Sequence, residues 1–277
     1  MATVEPRDKR VALDEVELHY AEWGDAANPP MVLLHGFMAH ARTWDLFAAD
    51  LARDYRVLAV DQRGHGDSGR APDGKYGTEC YVADLEQLVA ALDLRSFVLV
   101  GMSMGGRNSM VYASRHPDTI ERLVIVDIAP EAPPPFAPRT DAPADPGVFD
   151  APEQVADFLR GQDAYPPEDY RQDVARHSVR PREDGRLVWK WDPALRGGPS
   201  PVAGDHWAAL RAIRCPTLVV RGAESPILPR PLADRMIREL ADGRLVEASR
   251  SGHAVQEDNA TALIAAVREF LGRPAAR

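Results

Sequence analysis

Cysteine is scarce in this 277-residue chain, which has only Cys80 and Cys215. They are too far apart for a CxxC pair, and neither has a histidine or second cysteine close by in sequence. Cysteine spacing therefore offers no zinc site, and both read as buried thiols. Positive charge is also short, with 33 Lys and Arg against 42 Asp and Glu, a net charge of −9. No basic stripe gathers to attract a phosphate backbone, so nucleic acid is excluded as a partner. No run of about 18 apolar residues occurs, which excludes a membrane-spanning helix. The segment Met1 to Arg10 is charged and lacks the apolar stretch of a secretory signal, and Pro274-Ala275-Ala276-Arg277 carries no lipidation motif. The expected address is cytoplasmic, where a disulfide between the two cysteines is not expected.

The chain has the composition of an ordinary globular protein, 45% hydrophobic and 27% charged, and its length allows one or two domains. Short apolar runs bounded by turn signals alternate with helix-length segments, the pattern of a mostly parallel sheet covered on both faces. The expected strands are Glu17 to Trp23, Met31 to Leu34, Arg56 to Val60, Phe97 to Val100, Leu123 to Val126, Thr217 to Val220 and Arg244 to Val246, with Val11 to Leu13 at an edge. Ala41 to Ala52, Glu79 to Leu92, Met104 to Arg115, Pro231 to Leu240 and Asn259 to Leu271 carry apolar residues at helical spacing. The expected fold class is α/β, with eight strands and helices on both faces.

From Ala129 to Ala209 this rhythm breaks. The proline-rich stretch Pro130 to Pro135 suits neither a helix nor a central strand, and amphipathic segments such as Pro152 to Arg160 follow. Residues 129–209 read as an inserted helical cap, leaving 1–128 and 210–277 as the core domain. Trp189, Trp191 and Trp207 would belong to the cap's own core or to a substrate pocket, with Met38 and Met102 as further pocket candidates.

Gly101-Met102-Ser103-Met104-Gly105 matches G-x-S-x-G. Small residues flanking the serine permit a sharp strand-to-helix turn that exposes its hydroxyl. The apolar run before it and the helical segment after it supply the context the motif needs. A serine hydroxyl is a poor nucleophile without a hydrogen-bonded base. His177 and His206 lie within or at the edge of the expected cap, whereas His253 follows the last strand on a short polar loop, which makes it the candidate base. An oxyanion would need backbone N–H donors, expected from Met104 after the nucleophile and from Phe37 in His35-Gly36-Phe37-Met38. His35 reads as a bracing hydrogen-bonder. The loop Asp61 to Ser68 also reads as bracing, since no lysine stands at P-loop spacing and no second carboxylate or histidine cluster stands at ligand spacing. No metal and no cofactor is expected.

Two carboxylates compete to orient His253. Glu224 lies in the loop after Thr217 to Val220, with Ser225 and Pro226 beside it. Asp127 directly follows Leu123 to Val126, which would bring it out at the sheet's carboxyl edge beside the nucleophile. Asp127 is the better placed.

His35-Gly36, the Asp61 to Ser68 loop, the Ser103 elbow and Gly252-His253 stand in the order seen in α/β-hydrolase fold enzymes, a resemblance that covers the whole chain. Within that superfamily, Ser103-Met104-Gly105-Gly106 and Asp127-Ile128-Ala129-Pro130 resemble a small bacterial carboxylesterase group. In that group the aspartate of Asp-Ile-Ala-Pro is the triad acid. Met102 departs from it, standing where the group usually places histidine. The resemblance implies a serine hydrolase acting on a small-molecule ester, and a cap with bulky Trp and Pro residues roofing the cleft would favour short to medium acyl chains. The fold also hosts lactonases, carbon–carbon bond hydrolases, perhydrolases and hormone receptors, and the sequence leaves monomer or dimer open.

Overall fold

The computed structural model describes residues 5–72, 74–131, 145–162, 165–197 and 205–272. Its first half holds strands β1 (Arg7–Ala12), β2 (Glu17–Trp23), β3 (Pro30–Leu34), β4 (Arg56–Val60), β5 (Phe97–Met102) and β6 (Ile120–Val126), with helices α1 (Asp45–Leu51), α2 (Thr78–Ala91) and α3 (Met104–Arg115) between them. The segment between β6 and α6, expected to be a cap, contributes β7 (Val148–Phe149), α4 (Pro152–Gln162), α5 (Glu168–Ser178), β8 (Val179–Pro181) and β9 (Leu187–Trp189). The chain ends with α6 (His206–Ala212), β10 (Thr217–Gly222), α7 (Arg230–Glu239), β11 (Gly243–Ala248), α8 (Val255–Asp258) and α9 (Ala260–Phe270). None of these helices is long and apolar enough to cross a membrane.

Eight strands form one sheet in the order β1-β2-β4-β3-β5-β6-β10-β11. Pairing is antiparallel at β1/β2 and β2/β4 and parallel from β4 to β11. Every residue of β5 is buried, as expected of a central strand covered on both faces. Alternation sorts the side chains: Val32, Leu34, Leu58 and Leu99 meet α2, α3 and α7 on one face. Met31, Leu33, Val57 and Val100 meet α1 and α9 on the other. Each fully buried side chain of this size contributes about 1.5–3 kcal/mol, so the two layers form a stiff base for the loops at the sheet's carboxyl edge.

Most element boundaries fall within three residues of the sequence expectation, and two elements differ more. The edge strand is Arg7–Ala12 rather than Val11 to Leu13, because its charged side chains find partners on β2: Arg7 and Lys9 reach Glu22, and Arg10 reaches Glu17. The segment Ala41 to Ala52 opens as a 3₁₀ turn, Ala41–Trp44, before α1 begins.

The insertion carries more than helices, for β7, β9 and β8 form a small antiparallel sheet. Phe149, Val155, Trp189, Trp191 and Leu195 cluster there with Tyr76, Tyr81 and Met104 of the main domain. Hydrogen bonds tie it down: Asp192 N–H donates to Gly64 O at 2.7 Å and Tyr170 O–H to Thr43 O at 2.8 Å. The Lys190 ammonium meets Asp67 at 2.6 Å. Helix α6 crosses the expected boundary at 209/210, and its Leu210 packs in the main core. Of the proline-rich stretch, residues 132–135 lie outside the described residues.

Candidate active site

The turn between β5 and α3 places Ser103 at φ 52° and ψ −116°. This left-handed backbone costs a non-glycine residue about 1–3 kcal/mol and persists where its surroundings enforce it. Here the serine N–H donates to Val126 O at 2.9 Å, continuing the β5–β6 ladder. Gly105 is obligatory two residues on, since a Cβ there would lie 2.3 Å from Leu34 O. The hydroxyl emerges at the carboxyl edge of the sheet, one residue before α3 begins.

His253 meets this hydroxyl with Nε2 2.9 Å from Ser103 Oγ. On its other side Nδ1 lies 2.8 Å from Asp127 Oδ2. The Asp127 side chain is fully buried while that of His253 is one-third exposed. With Nδ1 protonated and donating to the carboxylate, Nε2 presents a lone pair to the serine and can take its proton. Asp127 sits at the end of β6 with φ 50°, and its N–H donates to Val220 O at 2.8 Å. Gly222 N–H donates to Oδ1 at 3.0 Å, and Ser225 O–H donates to Oδ2. Three donors thus converge on this carboxylate.

Glu224 is not brought to His253. Its side chain is exposed, and its N–H donates to Ser251 O. Its neighbour Ser225 takes part instead, by donating to Asp127, a role sequence reasoning missed because the pair is 98 positions apart.

Of the expected oxyanion donors, Met104 directly follows Ser103, and Phe37 follows Gly36, which packs against Ser103. Met104 is the first residue of α3, so its N–H has no acceptor within the helix. The loop bearing Phe37 passes directly over the serine, and a Cβ on Gly36 would lie 3.4 Å from Ser103 Cβ. His35 braces this loop: Nδ1–H donates to Gly36 O at 2.7 Å, and Nε2 accepts Gln62 N–H at 3.0 Å. Burial holds His35 neutral, at about 4. The Gln62 amide donates to His35 O at 2.8 Å and accepts from Asn108 of α3 at 2.7 Å. Gln62 and Asn108 were not legible from spacing, being 46 residues apart.

The Asp61 to Ser68 loop gathers one cluster unforeseen in the sequence. His19 of β2 joins Asp61 and Asp67, with potential ligand atoms within 4.8 Å of one another. All three are engaged: His19 Nδ1 with Asp61 at 2.7 Å and Nε2 with Asp8 at 3.0 Å, and Asp67 with Lys190. Burial works against the charged imidazole, yet Asp61 and Asp8 together raise its pKa. Asp61 also accepts Ala41 N–H at 2.6 Å, and the loop acts as a brace.

Beneath the insertion lies a cavity of about 250 Å³, walled by Met38, Phe37, Phe158, Trp189 and Trp191. Two pocket candidates fall elsewhere. Met102 is buried in the core with its Sδ packed under Gly36, because it ends the fully buried β5. Trp207 lies on α6 against the main core, where the Arg235 guanidinium stacks 3.7 Å over its ring and its N–H donates to Glu131.

Comparison with known proteins agrees with this architecture. The chain is 31% identical over 252 residues to a 3-hydroxybutyrate-oligomer hydrolase of Cupriavidus necator, covering 85% of this chain and 86% of that one. It is 31% identical over 261 residues to an esterase of Mycobacterium tuberculosis, covering 90% and 84%. The solved structure of E-2-(acetamidomethylene)succinate hydrolase superposes with a TM-score of 0.86 at 26% identity, over 96% of this chain and 99% of that one. The family profile described as alpha/beta hydrolase fold matches residues 29–260. By this match, by its sheet order and by the elbow that carries Ser103, the chain belongs to the α/β hydrolase fold family.

Proposed function

We propose that the protein is a serine hydrolase of carboxylic esters working through Ser103, His253 and Asp127. The observation that carries this reading is the unbroken relay from Ser103 Oγ through both imidazole nitrogens to a fully buried carboxylate, at 2.9 and 2.8 Å. Ser103 Oγ attacks the ester carbonyl as His253 Nε2 takes its proton. The tetrahedral oxyanion is received by the N–H groups of Met104 and Phe37, and His253 then protonates the leaving alcohol. A water deprotonated by the same nitrogen releases the acid from the acyl-enzyme. Asp127 fixes the tautomer and stabilises the transient imidazolium without itself taking the proton.

Relatives named as an esterase and as an oligomer hydrolase support ester substrates for this chain. The cavity's volume of about 250 Å³ falls below the roughly 300 Å³ at which pockets for drug-sized ligands begin. It supports short to medium acyl chains. The test is Ser103→Ala, assayed on esters of graded acyl length. Hydrolysis should be abolished in a variant that folds like the parent, and the parent's rates should peak at short to medium chains. Residual turnover within tenfold of the parent would refute the assignment, and faster hydrolysis of long-chain triglyceride emulsions would refute the chain-length reading.

A further inference from the structure

The wall of the cavity beneath the insertion is aromatic on the side of β9 and α4, where Phe158, Trp189 and Trp191 meet it. Its charged groups are of one sign. Asp145 and Glu257 bring two carboxylates, and no lysine or arginine is found among the described residues that line it. His40 is the one base on this wall, and its Nδ1, which has no hydrogen-bond partner among the described residues, offers an entering carboxylate a lone pair and no proton. Its Nε2–H donates to Ser178 Oγ at 3.0 Å, because the single proton of that hydroxyl goes to Val174 O at 2.8 Å. Burial keeps the imidazole neutral, at about 4. Lys190 and Arg42, two cations beyond the wall, are each held by a carboxylate. Lys190 lies 2.6 Å from Asp67, and Arg42 Nε is shared between both oxygens of Asp45 at 2.8 Å.

We infer that this cavity selects uncharged acyl groups and rejects acyl groups that end in a carboxylate. An aromatic wall strips water from whatever enters, and a buried anion is tolerated only where a cation or several donors replace that water. This wall supplies no cation and adds two carboxylates of its own. A branched alkyl group of equal shape loses nothing on entering. The inference rests on the ester-hydrolase reading given above and deepens it by naming the charge of the substrate.

The experiment compares two methyl esters of matched shape, methyl 4-methylpentanoate and monomethyl succinate, whose acyl groups end in an isopropyl and a carboxylate group respectively. The parent should favour the neutral ester in kcat/KM by at least about 100-fold, the discrimination expected when a desolvated carboxylate finds no partner. Leu159→Arg places a cation on the wall and should narrow that ratio by tenfold or more. Glu257→Gln, a gentler change, should narrow it by a few fold, so the test does not depend on whether the arginine variant folds. Hydrolysis of both esters by the parent within threefold would overturn the charge selection while leaving the ester-hydrolase reading intact. Turnover of neither, with Ser103 unlabelled by a fluorophosphonate, would overturn the hydrolase reading and this inference with it.

Discussion

Replacing Asp127 with asparagine tests the relay at the atom where its direction is set. The buried carboxylate receives Gly222 N–H on Oδ1, and both Ser225 O–H and His253 Nδ1 on Oδ2. An asparagine must orient its amide in one of two ways. With its NH₂ toward Gly222, two donors collide. With its oxygen kept there, the NH₂ faces His253 and donates to Nδ1. The imidazole then carries its proton on Nε2, pointing at Ser103 with no lone pair to offer. Loss of tautomer control in a Ser-His-Asp triad lowers kcat by about 10⁴, and a loss of that size is expected of Asp127→Asn. The fold should lose only about 1–3 kcal/mol, since the amide stays hydrogen-bonded. Glu224→Gln, at an exposed side chain, should cost less than tenfold. The assay is steady-state hydrolysis of 4-nitrophenyl butyrate, with circular dichroism to show that both variants fold. A larger loss from Glu224→Gln than from Asp127→Asn would refute the assignment of the acid.

Ser225→Ala removes one donor from Asp127 Oδ2 and should lower kcat by about 3- to 30-fold, the worth of one charge-assisted hydrogen bond, with recovery in Ser225→Thr; an unchanged kcat would make that contact structural only. Gly105→Ala puts a methyl 2.3 Å from Leu34 O and should cost about 1–3 kcal/mol, or roughly 2–5 °C in Tm by thermal unfolding; an unshifted Tm would contradict the close approach. Burial lowers His35 and His40 to about 4 and His65 to about 3, so each unfolded imidazole binds a proton below pH 6.5 that the folded one refuses. Asp45, raised by burial to about 6, offsets one of the three. Stability measured by urea denaturation should therefore fall by roughly 1–3 kcal/mol per pH unit from pH 6.5 down to 4, whereas a flat profile would mean that these histidines are charged in the fold. Incubation with a chelator should leave ester hydrolysis unchanged; loss of activity restored by zinc or manganese would point to a metallohydrolase.

The parallel strands were legible because burial on both faces leaves continuous apolar runs such as Phe97 to Val100. The elbow was legible because its backbone demands small residues at fixed offsets around Ser103. Only the Val11 end of the edge strand Arg7–Ala12 was legible, since the charged residues Arg7 to Arg10 that open it are held by ion pairs to β2 and carry no apolar signature. The strands of the small sheet are two or three residues long, too short for any periodicity to show. Pairings that join distant residues left no local trace either: Ser225 with Asp127, Gln62 with Asn108, and His19 with Asp61. Trp207 suits a pocket on its residue type alone, whereas its place on α6 against Arg235 is set by tertiary packing.

The most direct test of the central claim is to catch the acyl group in transit. Rapid mixing of the parent with 4-nitrophenyl butyrate, acid quenching within milliseconds and peptide mapping by mass spectrometry should find a butyryl group on Ser103, with a burst of nitrophenol matching the enzyme concentration. No adduct during active turnover, or one carried by another residue, would contradict the account.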